Sequence, residues 1–282
     1  MHEGIGWIVD AEVSGYFDSI DRTRLRETLR HRVNDGRILR LIGKWLRAWV
    51  MEEGVLNHPE TGVVQGGTIS PVLANIFLPQ VLDAWCEHEV QPRLKGRSFL
   101  MRFADDCVIG CEREADARRI MAVQPQRCTR YGVTIHPTKT ALMAFGKPAG
   151  RPEANPRHGT CDFLGLTHAW TTSRRGFWVI KRRTARKRFR RTKKSLWRWC
   201  RAHRHAPLKD QYHMLCLKLR GHFQYYGIQG NFRLREEVLR SAEKAWRYWL
   251  SRRSSTSAIG WEKFQQLLET YVLPPPRIVH NI

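Results

Sequence analysis

The chain has 282 residues, of which 49 are Lys or Arg and 26 Asp or Glu, a formal net charge of +23 with a pI near 10.5. A hydrophobic content of 42% with 11 Trp excludes a disordered chain and suits one large core or two modest ones, read here as two domains. Seven Cys without a C-x-x-C pair exclude a disulfide framework and a zinc ribbon; the lack of a membrane-length apolar run or signal core points to a soluble cytoplasmic protein. So positive a surface attracts polyanions, nucleic acid first.

The charge is unevenly divided. Residues 1–158 hold 22 Lys and Arg against 19 Asp and Glu, and residues 159–282 hold 27 against 7. The first half is close to neutral, and nearly all the excess lies in the second.

From the amino terminus, "WIVDAEV" alternates, with Trp7, Val9, Ala11 and Val13 on one face and Ile8, Asp10 and Glu12 on the other, which predicts a strand with acids on its open face. A helix follows through "DRTRLRETLRHRV". A second is predicted from the apolar spacing of Ile38, Leu41, Ile42, Trp45 and Leu46. A polar loop with Gly54, Pro59 and Gly62 leads to "VVQGGTISP", where Ser70 is placed to cap and Pro71 to open a helix running to about Val90. Pro79 lies inside that helix, at a cost of roughly 3 kcal/mol unless a kink accommodates it.

"RSFLMRFADDCVIG" reads as two short strands joined at an aspartate pair. A helix from about Glu114 to Tyr131 and a strand in "GVTIHPTKTALMAFG" follow, then a loop over 146–160. After a short β segment from "CDFLGLTHAW" to "GFWVIK", four helices are predicted: about 184–203; one striped by Tyr212, Leu215, Leu219, His222, Phe223 and Tyr226; one by Leu239, Ala242, Trp246, Trp249 and Leu250; and one by Trp261, Phe264, Leu268 and Tyr271. Such stripes ordinarily mean a helical bundle packing its own core.

Two adjacent aspartates in an apolar run repel each other and lose hydration, so both stay ionised only beside something cationic. A divalent metal is the simplest candidate. Two-metal phosphoryl transfer needs shared carboxylates about 3.5–4 Å from metal to metal, and Glu12, Asp105 and Asp106 are the acids whose predicted placement could supply them.

Read in order, "GWIVDAEVSGYFDSID", "GVVQGGTISPVLANIFL", "RFADDCVIG", "YGVTIHPTKT" and "FLGL" resemble palm motifs A to E of group II intron-type reverse transcriptases. The region after residue 180, with "LKLRGHFQYYGIQGN" and "LPPPRIVHNI", is similar to the thumb and maturase region of that family. The resemblance implies an α+β palm domain of right-hand polymerase type over 1–172, its fingers lacking, followed by an all-α thumb and maturase bundle over 173–282.

On this resemblance Glu12, Asp105 and Asp106 would hold two Mg²⁺, with Mn²⁺ as a substitute. Phe17 would lie under the incoming sugar. Gln65, Gly66, Gly67, Ser70, Pro71, Ala74 and Asn75 would contact template and nucleotide. Lys139 would protonate the leaving pyrophosphate, and Phe163, Leu164 and Gly165 would form the primer grip. The partners implied are an RNA template or intron, a DNA primer and deoxynucleotide triphosphates. Two departures stand out: where the family's first motif normally has Asp as the third metal ligand this chain has Glu12, one methylene longer, and the fingers expected before motif A are taken to be lacking.

In "KRRTARKRFRRTKKSLWRWCRAHRH" the cations Arg186, Lys187, Arg190, Arg191, Lys193, Lys194 and Arg198 surround Phe189, Leu196, Trp197 and Trp199. They would neutralise phosphates while outward aromatics stack on unpaired bases; the alternatives are a bundle helix with a solvated basic face, or a membrane-surface helix. Three readings of the whole chain follow: an RNA-directed DNA polymerase, an RNA-binding maturase without chemistry of its own, and an inactive remnant of a mobile element.

Overall fold

The computed structural model describes residues 4–52, 55–57, 61–63, 67–136, 140–148, 159–254 and 258–280, with 50–52 and 55–57 defined by their strand backbone. The chain divides into two units, Met1–Leu164 and Gly165–Ile282. That boundary falls eight residues before the 172/173 division expected from sequence.

The first unit is built on β1 (Trp7–Ser14). Two helices follow the short turn α1 (Tyr16–Ser19): α2 (Arg22–Arg30), and α3 (Gly36–Leu46). Asp21 starts α2 by accepting from the Thr23 and Arg24 amides, and Asp35 starts α3 by accepting from Arg37. The expected polar loop instead contains a hairpin, β2 (Val50–Glu52) and β3 (Val55–Asn57). Its strands are three residues each, too short for alternation to register.

α4 spans Ser70–Leu78. Its N-cap is Ile69, so Ser70 lies in the first turn instead of capping it, and Pro71 follows. At Pro79 the helix widens into π turns, Pro79–Asp83 and Cys86–Val90, with the Ala84 amide donating to the Pro79 carbonyl. The wider turn accommodates a proline that cannot donate within a regular α-helix.

β4 (Ser98–Phe103) and β5 (Asp106–Cys111) form the acidic hairpin, α5 (Glu114–Arg130) crosses behind, and β6 (Thr134–Ile135) and β7 (Ala141–Ala144) replace the single strand expected there. The sheet order is β4-β5-β1-β6, with β7 also on β1. Hence β1 is central, antiparallel to β5 on one edge and to β7 and then β6 on the other. Val9, Ala11 and Val13 are buried with α5 and the helical layer, whereas Asp10 and Glu12 are half-exposed on the opposite face. β8 (Thr160–Phe163) closes the unit.

The second unit is not all-helical: β9 (Leu166–Thr172) and β10 (Trp178–Thr184) pair antiparallel along their whole length before the helices begin. Then come α6 (Arg186–Ala202), α7 (Leu208–Tyr225), α8 (Phe232–Leu250) and α9 (Trp261–Thr270). The predicted stripes form their core, with Leu215, Leu219, Ala242, Trp246 and Phe264 fully buried. Trp261 departs from its stripe. It is 50% exposed, with the Arg247 guanidinium 4.3 Å above its ring.

Candidate functional site

Glu12 and Asp106 are direct partners in the β1–β5 register, on the open face of the sheet, and Asp105 occupies the adjoining hairpin turn. Ala104 completes that turn with a positive φ of 54°, a conformation costly for a residue bearing a Cβ. Asp10 lies one step deeper, opposite Val108. Its pKa is pushed up to about 6, first by burial and then by the negative charges of Asp106, Glu12 and Asp162. Four carboxylates therefore share one local field, two of which, Asp10 and Asp162, sequence reasoning did not assign. Asp162 stands in β8, far along the chain, and only the fold brings it near.

Among the described residues no three His, Cys, Asp or Glu stand grouped as a ready-made metal site. The donor chemistry nonetheless fits a hard divalent cation, since every candidate ligand is a carboxylate oxygen.

The hairpin tip is braced by Arg102. Its guanidinium grips Asp83 with two bonds of 2.7 Å, donates to the Ala104 carbonyl at 3.0 Å and reaches the Asn75 side chain at 3.4 Å. Asp83 lies in the π-helical segment and Asn75 on α4, so one side chain ties two elements to the aspartate turn. Next to Asp106 and Val108 on the sheet, Phe103 and Met101 are 64% and 51% exposed and extend the open face as an apolar shelf.

Phe17 is held by its neighbours. Tyr16 is buried and its hydroxyl donates to the Ala74 carbonyl at 2.6 Å, while the Phe17 carbonyl accepts from the Val63 amide at 2.7 Å. Gly62 makes this approach possible: with φ of 76°, a Cβ there would lie 2.5 Å from the Phe17 carbonyl oxygen. Of the nucleotide-contact candidates, Gly67 accepts from the Ser70 amide, Ser70 is buried, and Pro71 and Asn75 are exposed. Gln65, Gly66 and Lys139 lie outside the described residues.

Phe163 and Leu164 end the first unit and Gly165 opens the second, Leu164 and Gly165 both at positive φ (52° and 72°) as a tight two-residue turn requires. Within the second unit Gly165 accepts from the Ala185 amide, and a Cβ on it would meet the Tyr226 hydroxyl at 3.0 Å.

On α6, Arg186, Lys187, Arg190, Arg191, Lys194 and Arg198 are exposed. Lys193 is already neutralised by Glu237 at 2.9 Å. Phe189, Trp197 and Trp199 are half-buried against the bundle and Leu196 is in its core. A groove of about 330 Å³ between α6, α7 and α8 gathers Arg188, Arg191 and Lys218 with the hydroxyls of Thr192, Ser195 and Tyr226. Arg188 and Lys218 become neighbours only through helix packing.

A model of the reverse transcriptase (RNA-dependent DNA polymerase) family matches residues 2–168, more than half of the chain, and the chain belongs to that family. Within it, the sequence is 35% identical over 78 residues to the group II intron-encoded protein LtrA of Lactococcus lactis subsp. cremoris, covering 28% of this chain and 13% of that protein. It is 36% identical over 72 residues to protein YkfC of Escherichia coli (strain K12), covering 26% and 19%, and 32% identical over 98 residues to the putative COX1/OXI3 intron 1 protein of Saccharomyces cerevisiae, covering 34% and 12%. The chain thus matches less than a fifth of the length of these relatives. The apo telomerase of Candida tropicalis shares the fold at a TM-score of 0.51 and 12% identity, over 96% of this chain and 46% of that one.

Proposed function

We propose that the chain is the palm and thumb of a group II intron-type RNA-directed DNA polymerase. A primer 3′ hydroxyl would attack the α-phosphorus of a deoxynucleotide triphosphate paired to an RNA template, forming the new P–O bond and expelling pyrophosphate. The observation that carries the reading is the pairing of Glu12 with Asp106 beside Asp105, at a hairpin tip in a reverse transcriptase family member.

Glu12, Asp105 and Asp106 would hold the divalent ions, Mg²⁺ in the first instance, whose bound charge would polarise the attacking and leaving oxygens. The chain's own contribution is placement. Arg102 holds the aspartate turn, the Tyr16 and Val63 contacts hold Phe17 for the sugar, Ser70 to Asn75 line the nucleotide's approach, and Lys139 would give the pyrophosphate its proton. Phe163 to Gly165 would grip the primer, and the exposed α6 cations would take backbone phosphates of template or intron RNA.

The test is extension of a DNA primer annealed to RNA, with and without Mg²⁺. The expected result is Mg²⁺-dependent extension abolished by Asp105→Ala. RNA binding that survives Asp105→Ala without any extension by the parent chain would overturn the polymerase reading in favour of a splicing cofactor that grips RNA.

A further inference from the structure

On the far side of the sheet from the acids, between the π-helical segment and α5, lies a cleft of about 280 Å³. Its floor is apolar: Trp85, Val90 and Ile120 are buried beneath it, and Val123 stands 42% exposed at its mouth. One face of α5 forms a wall, since Arg119, Val123, Gln126 and Arg130 follow one another at spacings of four, three and four. Arg93 and Leu94 form the other rim, held there because the buried Asp116 accepts from the Lys95 and Gly96 amides at 3.2 and 2.8 Å.

The charges around this cleft fall into two kinds. Arg127 is structural: it donates to the Val81 and Gln80 carbonyls, lies over the Tyr131 ring and sits 3.6 Å from Glu89, the cleft's acid. Arg93, Arg119 and Arg130 are exposed and make no ion pair with any described residue. Three uncommitted guanidinium groups thus converge on an apolar floor containing an indole.

We propose that this cleft binds an unpaired stretch of nucleic acid, a base entering over Trp85 and Val123 while Arg93, Arg119 and Arg130 take the flanking phosphates. A duplex presents phosphates but keeps its base faces stacked, so it would leave the apolar floor uncovered. An acidic peptide would satisfy the arginines without using the floor. The volume is slightly below the roughly 300–1,000 Å³ of ordinary small-molecule sites, which suits one nucleotide of a longer strand better than a whole cofactor. The site is independent of primer extension, because the sheet separates it from Asp10, Glu12 and Asp106, whose negative charge would otherwise repel a second strand.

The experiment uses the full chain, with labelled single-stranded RNA and the same sequence as a duplex, and the double variant Arg119→Glu, Arg130→Glu. Both positions are exposed, and an unchanged thermal midpoint verifies folding. Expected is a loss of single-strand affinity of about tenfold or more, a salt slope shallower by about 1.4 for two phosphates no longer neutralised, and duplex affinity within twofold of the parent. Ultraviolet crosslinking of the parent should mark a peptide from α5 or from residues 85–94. Unchanged single-strand affinity, an equal loss for duplex, or displacement by polyglutamate as effective as by RNA would each overturn the proposal. Failed primer extension would leave this site standing, because extension does not use it, and failed crosslinking would leave the polymerase reading untouched.

Discussion

Arg102 shows how little a local reading conveys about a residue that organises its surroundings. The motif "RFADDCVIG" places it three residues before the aspartates, but its partner Asp83 lies 19 residues earlier, and only the return of β4 beside the π-helical segment joins them. Its side chain is 13% exposed and Asp83 38%. Replacing it with Gln removes a charged two-bond grip and the donor to the Ala104 carbonyl. Arg102→Gln should cost about 1–3 kcal/mol of stability, read from urea denaturation, with Arg102→Lys losing less because it retains the charge. Asp10 yields a pH prediction. Its carboxyl titrates at about 6 in the folded chain against 3.8 for an ordinary aspartate, so the folded state holds the extra proton between those values. Stability therefore declines as pH rises from about 4 to 6 and levels off above. In buffer free of divalent ions, Asp10→Asn should unfold at higher urea than the parent at pH 8, and the gap should close towards pH 4. The alternation of β1 made Asp10 legible as an open-face acid; its shared field with Asp162 was not, since nothing in sequence marks those two residues as neighbours.

At the scale of elements, periodicity was a good guide wherever an element is long and amphipathic. The helices of the second unit follow their stripes because each must bury one face against the others, and Trp246 sits fully buried at the centre, its indole N–H donating to Gln211 Oε1 at 2.9 Å. Gln211 in turn donates to the Arg204 and Ala206 carbonyls of the α6–α7 turn. Trp246→Phe should leave a buried amide oxygen unpaired at about 1–3 kcal/mol, and Trp246→Ala should cost about 3–5 kcal/mol, both visible by calorimetry. Turns were less legible. Gly62 reads in sequence as a loop residue, yet its positive φ and the approach of the Phe17 carbonyl make it a brace of the site. Gly62→Ala should destabilise by about 1–3 kcal/mol in thermal unfolding. The short hairpin of β2 and β3 was missed because three residues carry too little alternation to be seen.

Across the whole molecule, charge is partitioned even more sharply than the half-chain counts suggest. The first unit holds 22 Lys and Arg against 20 Asp and Glu, and the second 27 against 6. Nucleic-acid affinity should fall linearly with the logarithm of salt concentration. Replacing Arg190, Arg191, Lys194 and Arg198 with Gln should flatten that slope by about 0.7 for each single-strand phosphate left without its cation, measured by fluorescence anisotropy. Lys193→Gln should leave the slope unchanged, because Glu237 already neutralises that lysine.

Sequence by itself determined the family motifs and their order, the acid-bearing strand, the bundle stripes and the basic second half, since all of these rest on residue type and on spacing along a single element. Tertiary structure alone decided which acids face one another, that Arg102 clamps the aspartate turn, that Lys193 is spent on Glu237, and that three arginines meet over Trp85. These depend on residues far apart in the chain, and the free energy that joins them comes from burying the cores between the elements that carry them.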